Sequence, residues 1–162
     1  MMAGLDPLGM PLALVVVSSG ETADDGLYVP IIKRVDESLN KVGLLYVGDC
    51  KMSAFETRSY IIKQQNNYLS PLPLTGETAR DMENGIDIGV EKDLNHDLEM
   101  VYRQDEDGKD VLIAAGYEFE REQSSVVDET EVEWTERVLV IKSPVLASQK
   151  IKGLEKRLNT AQ

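Results

Sequence analysis

The residues Leu44-Leu45-Tyr46-Val47 form a short apolar run that stops at Gly48, and a carboxylate, Asp49, follows at once. Upstream, Val29, Ile32, Val35 and Leu39 recur at helical spacing and predict a helix from about Leu27 to Leu39. Downstream, Phe55, Tyr60 and Ile61 carry a second helix towards Gln64, opened by Ser53 with Glu56 completing a capping box. A buried strand over Val42–Val47, held between two amphipathic helices, commits this part of the chain to an α/β arrangement. The end of such a strand is where α/β folds place chemistry, because the strand holds the backbone while the side chain reaches solvent. Asp49 is therefore the leading candidate site residue, as a ligand or as a helix cap. Gly48 beside it leaves room for a metal ion or a phosphate to approach.

The chain opens with a hairpin. Met1 to Leu5 read as one strand and Leu12 to Val17 as its return, rich in β-branched residues. Asp6-Pro7-Leu8-Gly9 is the turn between them, with proline second and glycine fourth. Ser18 to Gly26 is a polar loop in which Asp24 and Asp25 are placed to cap the first helix. After the second helix, which Asn66-Asn67 ends, Tyr68 to Leu72 is a strand stopped by Pro71 and Pro73.

Beyond Leu74 the character changes. Residues 75–97 are acidic and turn-rich; Leu98–Arg103 and Val111–Ala115 read as strands around Asp105-Glu106-Asp107-Gly108, and Trp134–Ile141 as a further strand. Ser143-Pro144 opens a last helix whose inward face would be Ala147, Ile151, Leu154 and Leu158. The fold class expected is mixed α/β (α+β), with residues 1–74 as one region and 75–162 as an acidic, β-rich region with a closing helix.

Charge is segregated. The net charge of −12 by itself argues against a nucleic-acid partner. From Met1 to Leu74, however, six Lys and Arg face eight Asp and Glu; from Thr75 to Glu136 five face twenty; from Arg137 to Gln162 six face one. The acidity thus belongs to the middle, and the flanks could touch DNA. Glu118, Glu120, Glu122, Asp128, Glu129, Glu131 and Glu133 read as a solvated acidic surface. Lys150, Lys152, Lys156 and Arg157 read as a solvated helix face that could also meet a DNA backbone.

Other constellations carry less. Cys50 is the only cysteine, which excludes an intramolecular disulfide and a cysteine-based zinc site; it is expected to pack beneath the strand end. His96 is the only histidine and lies among Asp93, Asn95 and Asp97 as a loop residue. The DEDGKD stretch, Asp105 to Asp110, fails the EF-hand register, because placing Gly108 sixth puts Arg103 first and Ala114 twelfth. A hairpin turn is its expected form. No apolar run is long enough to span a bilayer and no basic leader precedes Pro11–Val17, so a cytoplasmic location and no membrane partner are expected.

Gly4-Leu5-Asp6-Pro7-Leu8-Gly9-Met10-Pro11-Leu12, the loop Gly20-Glu21-Thr22-Ala23-Asp24-Asp25, the stretch Gly43 to Met52 and Trp134-Thr135-Glu136-Arg137-Val138-Leu139, with the Leu154–Leu158 helix, together resemble bacterial insertion-sequence transposases of the DDE superfamily, in the same order along nearly the whole chain. The resemblance implies an RNase H-like catalytic core over residues 1–74, followed by a β-rich insertion. It implies DNA transposition by metal-dependent DNA cleavage and strand transfer, with three carboxylates holding two Mg²⁺ or Mn²⁺ ions. Asp49 matches the second of these carboxylates and so the catalytic and metal-binding role; Lys51 beside it would touch a DNA phosphate or pair with the strand end. The partner implied is DNA at the insertion-sequence ends. The family's first aspartate lies on a strand before the hairpin, which places it upstream of Met1. The Tyr-Arg-Glu signature of its glutamate helix is not matched, since Tyr117 and Arg121 have the wrong spacing. The expectation is a fragment truncated at both ends, inactive by itself. The alternative is a non-catalytic remnant that binds a full-length transposase or itself.

Overall fold

A computed structural model describes residues 1–16, 24–73, 80, 82–87 and 100–161, without the side chains of residues 24, 25, 160 and 161. The chain is mixed α+β. Strands β1 (Met2–Leu5) and β2 (Pro11–Val15) precede a 3-10 turn at Asp24–Leu27, helix α1 (Tyr28–Leu39), strand β3 (Leu45–Val47), helix α2 (Phe55–Lys63) and strand β4 (Asn67–Leu69). A short helix α3 covers residues 82–87. Strands β5 (Val101–Gln104), β6 (Asp110–Val127) and β7 (Thr130–Lys142) and helix α4 (Pro144–Ala161) complete the order. Two compact units result: Met1–Thr78 with Glu122–Trp134, and Ala79–Arg121 with Thr135–Gln162.

In the first unit β1 and β2 pair antiparallel, with Met2 opposite Val15 and Gly4 opposite Ala13. The turn forms as its residues dictate. Asp6 Oδ1 accepts the amides of Leu8 and Met10 at 2.9 and 2.8 Å, and Gly9 adopts φ +80°, a conformation open to glycine at no steric cost. Strands β3 and β4 pair parallel, Tyr46 opposite Tyr68, so β3–α2–β4 is a βαβ unit. The hairpin and the parallel pair form separate sheets among the described residues. Helix α1 packs on β1, β2 and α2, and α2 packs on β4. Their shared core is Val15, Leu27, Ile31, Ile32 and Ile61, with Tyr46 and Tyr68 against it. Ile61 is wholly excluded from solvent and Ile32 nearly so, each burial contributing about 1.5–3 kcal/mol.

Val29, Ile32, Val35 and Leu39 lie on the face of α1 that the periodicity indicates, and the helix ends at Asn40, in the left-handed conformation with φ 48°. Its N-cap is Leu27, without a side-chain bond; the side chains of Asp24 and Asp25 lie outside the described residues. Three expectations need correction here. Strand β3 is not buried on both faces: Leu45 and Val47 are 59% and 68% exposed, because α1 and α2 cover only the side that Tyr46 faces. Ser53 does not cap α2. The helix begins at Phe55 behind Ala54, while the Ser53 hydroxyl donates to the Cys50 carbonyl at 2.6 Å within the preceding turn. Cys50 is exposed rather than packed under the strand end, since that space belongs to Met52.

The two-residue turn Asp128-Glu129, which joins β6 to β7, also lies in the first unit. Lys63 at the end of α2 donates to Asp128 Oδ2 at 2.7 Å and to the Val127 carbonyl at 2.9 Å. Trp134 stacks at 5.5 Å on Phe55, and its Nε1 donates to the Tyr68 hydroxyl at 2.8 Å.

Strands β5, β6 and β7 form one sheet in that order, of which β5 and residues 110–121 and 135–142 belong to the second unit. The DEDGKD stretch is a hairpin turn: Asp105 Oδ1 accepts the amides of Asp107 and Lys109 at 3.0 and 2.8 Å. The strand expected to end near Ala115 runs on to Val127, and the strand expected to start at Trp134 starts at Thr130; over 120–127 exposed residues alternate with half-buried ones, the pattern of a ladder with one wet face. Tyr117 sits on β6 and its hydroxyl donates to the Gly85 carbonyl of α3. Gly116 is obligatory, since a Cβ there would lie 2.1 Å from the Val140 carbonyl oxygen. Of the carboxylates expected on a solvated surface, Glu118 pairs with Arg137 at 2.5 Å, while Glu120, Glu122, Glu129, Glu131 and Glu133 are exposed. Ser143 does cap α4, accepting the Leu146 amide at 3.3 Å. The face of α4 expected to turn inward is exposed, with Ile151, Leu154 and Leu158 each 58% accessible.

Candidate functional site

Asp49 stands two residues beyond the carboxyl end of β3, in the first unit. The ladder holds the approach, the Gly48 amide donating to the Leu69 carbonyl at 3.2 Å. The space a Cβ at Gly48 would fill is taken by the Met52 side chain, whose Sδ would be 2.6 Å away. The absent side chain therefore serves the packing of a buried methionine, which draws the turn after the strand tightly back under it.

Asp49 is not the cap of α2. Its Oδ1 accepts the Lys51 amide at 2.9 Å, and its carbonyl accepts the Met52 amide at 3.1 Å, so it closes its own turn. A second donor comes from across the unit. The Tyr28 hydroxyl, at the start of α1, reaches the same Oδ1 at 2.8 Å. The bond from Tyr28, then that from the Lys51 amide, holds the Asp49 carboxyl below the usual carboxylate range, with the Lys51 charge adding a smaller effect. The group is fully exposed. The result is an ionised carboxylate held by two donors at a strand end, open to solvent. Lys51 is exposed beside it.

Such a carboxylate can supply part of the oxygen shell of a divalent cation, or orient a water. By itself it cannot hold two ions about 4 Å apart. Among the described residues no group of three or more His, Cys, Asp or Glu is placed to hold a metal ion. The site as described thus does not fit a two-metal centre. Tyr117 and Arg121 lie on β6 in the second unit; Arg121 pairs with Glu136 at 2.6 Å. His96 and its acidic neighbours, and the loop Gly20–Ala23, lie outside the described residues.

Sequence reasoning missed Tyr28. A tyrosine at a helix start carries no local signal for a carboxylate 21 residues away; only the packing of α1 beside β3 brings the two together. It also missed Asp36, whose Oδ1 accepts the Tyr46 hydroxyl at 2.7 Å and the Asn66 amide at 3.0 Å, while Asn66 Oδ1 accepts the Leu44 amide at 2.9 Å. This network ties the middle of α1 to the start of β3. Burial, and then the bond to Asp36, pushes the Tyr46 hydroxyl well above the usual tyrosine range. A cleft of about 500 Å³ beside Asp36, lined by Lys33, Glu56 and Asp128 among others, does not include Asp49. No described helix is long and apolar enough to cross a membrane.

Comparison with known protein families, curated proteins and solved structures gives no match.

Proposed function

We propose that this chain is part of a DDE-type transposase, in which Asp49 is the second of three carboxylates that together hold Mg²⁺ or Mn²⁺ for DNA cleavage and strand transfer, and that the chain alone is inactive. The observation that carries the reading is the state of Asp49: ionised, solvent-open and held by Tyr28 and the Lys51 amide at the carboxyl end of a parallel strand pair. A carboxylate that served only its turn would need no phenol from α1. The RNase H-like reading of residues 1–74 draws support from the element order, an antiparallel hairpin followed by a helix and a βαβ unit around one core. Lys51, exposed next to Asp49, is the residue assigned to a DNA phosphate.

Two carboxylates remain to be supplied. The decisive experiment is the sequence of the DNA on both sides of the reading frame. Upstream codons for a strand bearing an aspartate, and downstream codons for a helix bearing Tyr, two residues, Arg, three residues and Glu, are the expected result. Their absence on both sides would remove the transposase reading. Purified chain is expected to leave supercoiled plasmid intact in Mg²⁺ or Mn²⁺. Nicking that disappears in Asp49→Ala would overturn the assignment of an incomplete site.

A second reading, a non-catalytic remnant that associates with a full-length transposase, is favoured by one observation. Leu45, Val47 and Leu69 are all half or more exposed on one face of the β3–β4 pair, the kind of apolar surface that marks an interaction site. Co-purification with a full-length relative would support it.

A further inference from the structure

Among the described residues, helix α4 has no core of its own. Every described side chain from Pro144 to Asn159 is exposed. An isolated helix of 18 residues draws little stability from propensity alone, and Gly153 in its interior lowers that further. Yet its apolar residues are ordered. Ala147, Ile151, Leu154 and Leu158 follow spacings of four, three and four, which set them on one stripe of the helix and fit successive d and a positions of two heptads, while Val145 and Leu146 fall outside that stripe. Ile151 and Leu158 then occupy the a positions, and Ala147 and Leu154 the d positions. The adjacent pair Ile151 at a and Leu154 at d is the combination that favours two parallel strands; Ala147 at d and Leu158 at a fall outside it.

The flanking charges point the same way. In this register Lys150 and Arg157 are at g and Glu155 is at e. In a parallel pair of identical helices, Lys150 of one copy faces Glu155 of the other, twice by symmetry. In an antiparallel pair Lys150 would instead face Arg157, a like-charge contact. The remaining basic residues, Lys152 and Lys156, fall at outer positions b and f, where they leave the seam alone.

We propose that α4 is a self-association surface, and that its occupant is α4 of a second copy of this chain in a parallel two-stranded coiled coil, with Lys150–Glu155 pairs across the seam. This inference rests on α4 alone and is independent of any role for Asp49.

Sedimentation equilibrium of the full chain at 150 mM salt, from 5 to 300 µM, tests it. The expected result is a concentration-dependent rise in mass from 18.0 kDa towards twice that value. Leu154→Asp, at a position exposed among the described residues, should abolish the rise. Glu155→Lys should weaken association at least tenfold, and Lys150→Glu combined with Glu155→Lys should restore it. In a Cys50→Ser background, Leu158→Cys should form an intermolecular disulfide, as only a parallel alignment places the two copies of residue 158 together. A monomer throughout the range would overturn the proposal. So would a dimer indifferent to Leu154→Asp, or one whose charge-swapped double variant stays as weak as Glu155→Lys.

Discussion

The hydroxyl of Tyr28, the first residue of α1, donates to Oδ1 of Asp49 at 2.8 Å and thereby joins the start of a helix to the turn after β3. The bond is stronger to the ionised carboxylate than to the neutral acid, and the carboxyl accordingly titrates below its ordinary value. The sign follows. A depressed native value means that the stabilisation is fully present above the unfolded value, about 4, and is lost as pH falls through the native one. Tyr28→Phe removes the first cause of the depression and should move the Asp49 titration up towards the ordinary range. The Asp49 Cγ chemical shift, followed by NMR from pH 7 to pH 2, measures it; an unchanged midpoint would show that the Lys51 amide alone sets it.

Ile61 is the wholly buried member of the core cluster that side chains of α1, α2 and both sheets of the first unit form. Ile61→Ala should cost about 2–5 kcal/mol and Ile61→Val about 0.5–1.5 kcal/mol. Urea unfolding followed by Tyr fluorescence and circular dichroism gives both values, and a loss below that range would mean that the site collapses around the cavity.

In the second unit Arg121 and Glu136 form a pair at 2.6 Å in which the glutamate is 6% exposed. Arg121→Met takes this partner from a buried carboxylate and should destabilise by about 3–5 kcal/mol. Arg121→Met with Glu136→Leu should recover much of that loss, since the apolar pair removes the charge it left behind. Chemical unfolding of the single and double variants reads the coupling.

The β6–β7 turn places two non-glycine residues in the left-handed region, Asp128 at φ 46° and Glu129 at φ 62°. Glu129→Gly removes that conformational cost at the second position and completes an Asp-Gly turn, so it should stabilise by about 1 kcal/mol. Asp128→Gly should not share the gain, because the Asp128 carboxylate holds Lys63. The urea midpoint should rise for Glu129→Gly and not for Asp128→Gly.

The local features of this chain were legible in its residues. Asp6-Pro7-Leu8-Gly9 and Asp105 to Lys109 make their turns with their own aspartates, and the periodicity of Val29 to Leu39 marks the buried face of α1. Each depends on neighbours a few positions away, which is the range over which sequence pattern speaks. What failed depends on which faces other elements cover. Nothing in Leu45 and Val47 says that helices lie on one side only, and nothing in Ile151, Leu154 and Leu158 says that their helix finds no core among the described residues. The candidate site divides the same way. Asp49 follows from an apolar run that ends in Gly-Asp; the partnership with Tyr28 does not, since it exists only once α1 has packed beside β3. Sequence by itself determined the opening hairpin, helix α1, the order of the βαβ unit and the residue at the strand end, because those follow from short-range chemistry. Tertiary structure decided which surfaces stay open and which hydroxyl holds that carboxylate, because both depend on contacts between residues far apart in the chain.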